Sequence, residues 1–99
     1  MNGRSIDYVR ADDGSVRIDG QDLGSAVESI MGGGIREYEW SWTIAKADVD
    51  AAITALGGKP GGDVIRLLGR WETSHGGQDP GRFLKEAGVP MGFWSRFGD

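Results

Sequence analysis

The chain is predicted to be an α+β domain, an antiparallel sheet of about three strands with three to four short helices packed on one face. Three observations predict it. An Asp13-Gly14 turn joins two β-like runs, the segment "EYEWSWTIA" alternates strictly between aromatic and polar residues, and several later segments repeat apolar residues at helical spacing between capping residues.

In "DYVRADDGSVRID", Asp13-Gly14 suits the positive φ angles of a two-residue hairpin loop. That loop sets a register in which Ala11 faces Val16 and Val9 faces Ile18 on an apolar side. Arg10 then lies opposite Arg17, and Tyr8 opposite Asp19, on the polar side. The following "DLGSAVESIMGGG" places Leu23, Ala26, Val27, Ile30 and Met31 on one helical face. Ser25 and Glu28 have capping-box spacing, Asp22 offers an earlier start, and Gly32 to Gly34 end the segment.

Alternation in "EYEWSWTIA" assigns Tyr38, Trp40, Trp42 and Ile44 to one face and Glu37, Glu39, Ser41 and Thr43 to the other. Helices need an apolar sheet to cover, so the aromatic row is expected to be the inner wall. "AKADVDAAITALGG" then gives a helix through Val49, Ala52, Ile53 and Leu56, with Asp48 and Asp50 in the first turn and Gly57 closing it. "KPGGDVIRLLGRWETS" gives another through Val64, Leu67, Leu68 and Trp71, capped by Asp63, in which the internal Gly69 either weakens the helix or marks close packing. In "DPGRFLKEAG", Asp79 caps, Pro80 takes the first helical position, Phe83, Leu84 and Ala87 face inward, and Gly88 terminates. "VPMGFWSRFGD" is too apolar for a free tail and is expected to pack back onto the domain.

Ninety-nine residues without a linker or repeat make one domain over 1–99, and eighteen glycines imply many turns. Net charge is −4, with ten acids against five bases in residues 1–50 and five against six in 51–99. That balance argues against nucleic acid, whose binding rests on neutralising phosphates. The absence of cysteine excludes disulfides, thiolate metal sites and a cysteine nucleophile. No run resembles a signal peptide or a membrane span, so the expected setting is cytoplasmic, with no membrane partner.

No catalytic, cofactor or metal motif emerges. Asp12, Asp13, Asp19 and Asp22 lack the alternating pattern and closing glutamate of a calcium loop. In "GGKPGGD", Lys59 precedes Pro60 rather than Ser or Thr and follows a helix, so it is a connection rather than a phosphate loop. His75 is the sole histidine and is expected to be exposed and idle, while Asp48 and Asp50 point to different helix faces. The polar side of the third strand, Glu37 and Glu39, together with Asp12, Asp13 and Asp19, forms the expected partner-binding surface. An alternative site is an aromatic cleft between sheet and helices lined by Trp40, Trp42 and Trp71. The "FWSRF" segment, with three aromatics around Arg96, has the composition of interface hot spots and also suits docking of a chain end.

Taken together, "VRIDGQDLG", "EYEWSWTIAKADVDAAITALGG" and "FLKEAGVPMGFWSRFGD" resemble a group of small actinobacterial proteins of uncharacterised function. Some small acidic α+β proteins of this general kind are immunity proteins that neutralise toxins. The resemblance implies a non-enzymatic acidic protein-binding domain without a cofactor, acting by occlusion of a basic partner. The alternative is a small-molecule binding or enzymatic module using the aromatic cleft. A homodimer through a strand edge or the aromatic tail is a third expectation.

Overall fold

The computed structural model describes residues 3–23 and 37–98. Within them lie strands β1 (Gly3–Arg10), β2 (Val16–Leu23) and β3 (Glu37–Ile44), and a 3-10 turn (Lys46–Asp48). Helices α1 (Val49–Ala55), α2 (Val64–Ser74) and α3 (Pro80–Glu86) follow, then strand β4 (Gly92–Gly98). The strands form one antiparallel sheet in the order β1-β2-β3-β4. The α+β class is as expected, but the sheet has four strands rather than about three. "GFWSRFG" packs back by pairing with β3, with Trp42 opposite Phe93 and Tyr38 opposite Phe97.

The first hairpin differs from its expected register by one residue. Tyr8 pairs with Ile18, Val9 with Arg17 and Arg10 with Val16. No described residue other than glycine has a positive φ, so Asp13 does not supply the left-handed conformation that a two-residue loop requires. Gly14 alone adopts it, at φ 87°. The Ala11 carbonyl accepts from Gly14 N–H at 3.0 Å, and Ala11 N–H donates to the Ser15 carbonyl at 2.9 Å, giving a three-residue loop. Because strand faces alternate, this one-residue slip moves Ile6, Tyr8 and Arg10 to the helix side and sends Val9 to the other. Arg10 and Arg17 therefore lie on opposite faces and do not oppose each other.

The helix expected over 22–34 falls largely on residues 24–36, outside the described residues. Asp22 and Leu23 themselves continue β2, where Leu23 pairs with Gly3 and with Glu37. Asp22 extends toward Arg4, its neighbour on β1, and forms an ion pair with it at 2.8 Å, so among the described residues it acts in the sheet.

The other helices follow their sequence signals. Asp63 accepts from Arg66 N–H at 3.2 Å, and Asp79 from Gly81 N–H at 2.8 Å, with Pro80 opening α3. In α2 the internal Gly69 has open space where a Cβ would stand, so it marks no close packing. Ala87, expected to face inward, is the exposed C-cap of α3. The core joins Val16, Ile18 and Ile44 of the sheet to Ala52, Ile53, Val64, Leu68 and Leu84 of the helices, all fully buried. Each buried valine, leucine or isoleucine among them contributes about 1.5–3 kcal/mol relative to exposure. No helix of the described residues is long and apolar enough to cross a membrane.

Candidate functional site

The two faces of β3 carry the residues singled out above. On the helix side, Trp40 and Trp42 are 5% and 7% exposed. Burying an indole N–H without an acceptor is costly, and one carboxylate serves both. Asp79 Oδ2 accepts from Trp40 Nε1 at 2.9 Å and from Trp42 Nε1 at 2.7 Å, while Oδ1 caps α3. Two glycines make room for the rings. A Cβ on Gly20 would overlap the Trp40 indole, and one on Gly81 the Trp42 indole. The sequence shows Asp79 only as a cap, because nothing local indicates that its second oxygen reaches a strand 37 and 39 positions away.

Around this pair opens a groove of about 550 Å³, with Trp40, Trp42 and Trp71 among its walls together with Phe83, Phe93 and Arg82. The structure thus brings the three tryptophans of the expected aromatic cleft together. Trp71 stacks with both Phe83 and His75, with ring centroids 5.0 and 3.9 Å away. His75, exposed as expected, also contacts the Trp71 carbonyl through Nδ1 at 2.7 Å. The guanidinium of Arg4 lies 5.5 Å from the centroid of the Trp40 ring. Tyr8, placed on this side by the register, donates to Glu72 Oε1 at 2.5 Å. Burial, and then the hydrogen bond that the phenol donates to the Glu72 carboxylate, push Tyr8 well above its ordinary pKa.

On the opposite face stand Asp7, Arg17, Asp19, Gln21, Glu37, Glu39, Ser41 and Arg96, with the indole of Trp94 53% exposed beside them. These side chains form a lattice. Asp19 binds Arg17 at 2.8 Å and accepts from Ser41 Oγ at 2.7 Å, Gln21 donates to Glu37 at 2.8 Å, and Arg96 binds Glu39 at 2.8 Å. The Arg96 hydrogen bond, followed by one involving Glu37, holds the Glu39 carboxyl below its usual range. A shallow trough of about 500 Å³ crosses this face from Asp7 past Arg17 and Asp19 to Trp94.

The five acids expected to act together do not form one patch. Asp19, Glu37 and Glu39 share the outer face, whereas Asp12 and Asp13 belong to the β1–β2 turn. A strand's length, roughly 23 Å at about 3.3 Å per residue, separates that turn from Glu37. Asp13 is engaged locally, accepting from Ser15 N–H at 2.9 Å and Ser15 Oγ at 2.6 Å, and these bonds hold its carboxyl below the usual range. Among the described residues no group of His, Asp and Glu side chains is arranged to hold a metal ion. Asp22 faces the helices and Asp19 the open side, so the acids of residues 12–22 do not converge as a calcium loop would require. In the α1–α2 connection, Gly61 N–H already donates to Asp50 at 3.1 Å.

The residues least legible in the sequence are those of β4. Phe93 and Phe97, on the helix side, are 52% and 47% exposed, and Trp94 projects from the other face. No family model matches the chain, and neither a curated protein nor a solved structure matches it.

Proposed function

We propose that the chain is a non-enzymatic protein-binding domain that docks a basic partner on the open face of its sheet, as an immunity protein does when it neutralises a toxin by occlusion. The composition of that face carries the reading. Four carboxylates, Asp7, Asp19, Glu37 and Glu39, stand there against two guanidiniums, Arg17 and Arg96, with the exposed Trp94 indole at the margin. A polar surface with an aromatic anchor is how protein interfaces are commonly built. The net charge of −4 adds long-range attraction, making association fast and salt-sensitive. Asp12 and Asp13 contribute to that field from the turn rather than to the contact itself.

The experiment is a titration of the purified chain with the product of the gene beside its own. Association is expected to slow with added salt, and the combined Glu37→Gln and Glu39→Gln substitutions to slow it further by about tenfold. Asp12→Asn with Asp13→Asn is expected to change it less. Unaltered association after removal of both glutamate charges overturns the reading, as does the absence of any complex.

The aromatic groove favours a second reading, a small-molecule site, because its volume of about 550 Å³ lies in the range of ligand pockets. Both indole N–H groups in its floor are already committed to Asp79. Recognition would fall to Arg82 and to the ring faces of Trp71 and Phe93. A planar aromatic carboxylate that quenches tryptophan emission in the parent chain but not in Trp71→Ala supports this reading, and absence of quenching removes it.

A further inference from the structure

We infer that β4 is a self-pairing edge, through which two copies of this chain join antiparallel about Ser95 into one continuous sheet. Among the described residues β4 pairs with β3 alone, so its far side presents unpaired backbone N–H and C=O groups. Sheets normally protect such edges with charge, proline or bulges. The other edge follows that rule, with Arg4, Asp7 and Arg10 exposed along β1. In contrast, "GFWSRFG" contains one charge, no proline and no lysine, and three of its residues are large aromatics about half exposed.

The order of those residues identifies the occupant as a second copy. Centring an antiparallel pairing on Ser95 sets Phe93 of each copy opposite Phe97 of the other, on the helix side. On the open side the same register sets Trp94 opposite Arg96, so an indole face meets a guanidinium twice, once on each side of the two-fold axis. Ser95 meets its own mate, and Gly92 meets Gly98, leaving no bulk at either end. Shifting the centre by one residue, to Trp94 or to Arg96, sets a phenylalanine opposite Ser95 and sets Arg96 or Trp94 opposite a terminal glycine, so both matched pairs are lost. The open face of one copy would then continue into that of the next. This inference concerns the isolated chain and stands apart from the proposed recognition of a basic partner.

Sedimentation equilibrium at about 0.1 mM chain tests it. The parent chain is expected at twice its 10.6 kDa mass. Trp94→Arg and Trp94→Glu remove the same ring but turn opposite charges toward Arg96 of the second copy. The first is expected to weaken the dimer at least about tenfold and the second to weaken it less. Because the chain has no cysteine, Ser95→Cys is a register test: mild oxidation is expected to link two copies through that position and not through Thr43→Cys. Circular dichroism confirms that each variant is folded. A monomeric parent chain, equal effects of the two Trp94 substitutions, or failure of Ser95→Cys to cross-link overturns the inference.

Discussion

The two faces of the sheet are made from the same strands, yet they differ in how far their side chains are committed. On the helix side three polar ring atoms are engaged with carboxylates. The two indole N–H groups share Asp79, and the Tyr8 hydroxyl is bound to Glu72. The open side is also bonded, but its pairs are wet. Arg17 and Asp19 are 49% and 36% exposed, and Arg96 and Glu39 are 61% and 27% exposed. Water screens such pairs, so they add little to stability and can exchange partners at low cost. One face fixes the fold, and the other contributes little to it.

Substitutions that break this contrast should do so on the helix side. Trp42→Ala is expected to have the largest effect, about 3–5 kcal/mol in urea unfolding, because it removes a buried ring from a packed wall. Thr43→Ala, one position away on the open side, should leave the midpoint nearly unchanged. Asp79→Ala is expected to cost about 2–4 kcal/mol, since it strands two indole donors and removes the α3 cap. Asp79→Asn should recover part of the loss, because an amide oxygen still accepts.

The next effect is seen only at high pH. The Tyr8 phenol is raised above its ordinary value of 10.0 in the folded state, so the folded chain keeps a proton that the unfolded chain releases. Stability from this group is therefore full below about pH 10 and falls as the pH rises beyond it. Denaturation midpoints across that range should decline less in Tyr8→Phe than in the parent chain. The smallest expected effect is on the open face. Asp19→Asn should change stability by no more than about 1 kcal/mol, and added salt should reduce that further. A larger loss would mean that the open lattice also holds the fold.

What could be read from the sequence, and what could not, has a physical basis. The inner row of β3 was legible because both of its faces have a strict character over eight residues, one covered and one wet. The three later helices were legible because their apolar spacing and, for α2 and α3, their capping aspartates are local. The hairpin register was not, since Asp-Gly suits a two-residue loop and a three-residue one alike, and only the sign of φ at Asp13 separates them. β4 was hidden because aromatic residues occupy both of its faces, as an uncovered edge allows, so no alternation marks it as a strand. Of the expected partner surface, the glutamates of β3 and Asp19 meet on one face, but the turn acids lie apart, because sequence composition carries no distances. The tryptophans of the cleft do converge, and two of them, Trp40 and Trp42, are held by an aspartate whose long-range role left no local mark.

The pairing of β3 with β4 has a consequence for how the chain is made. Thr43 lies beside Gly92, so the third strand must wait for 49 more residues before its neighbour exists. At a synthesis rate of about 5–20 residues per second, that wait lasts roughly 2–10 s, longer than hairpins and helices take to form. Through that interval the first three strands and the early helices can assemble at the ribosome while one side of the tryptophan strand stays open. A chaperone would have its opportunity to bind there, before the last strand closes over it.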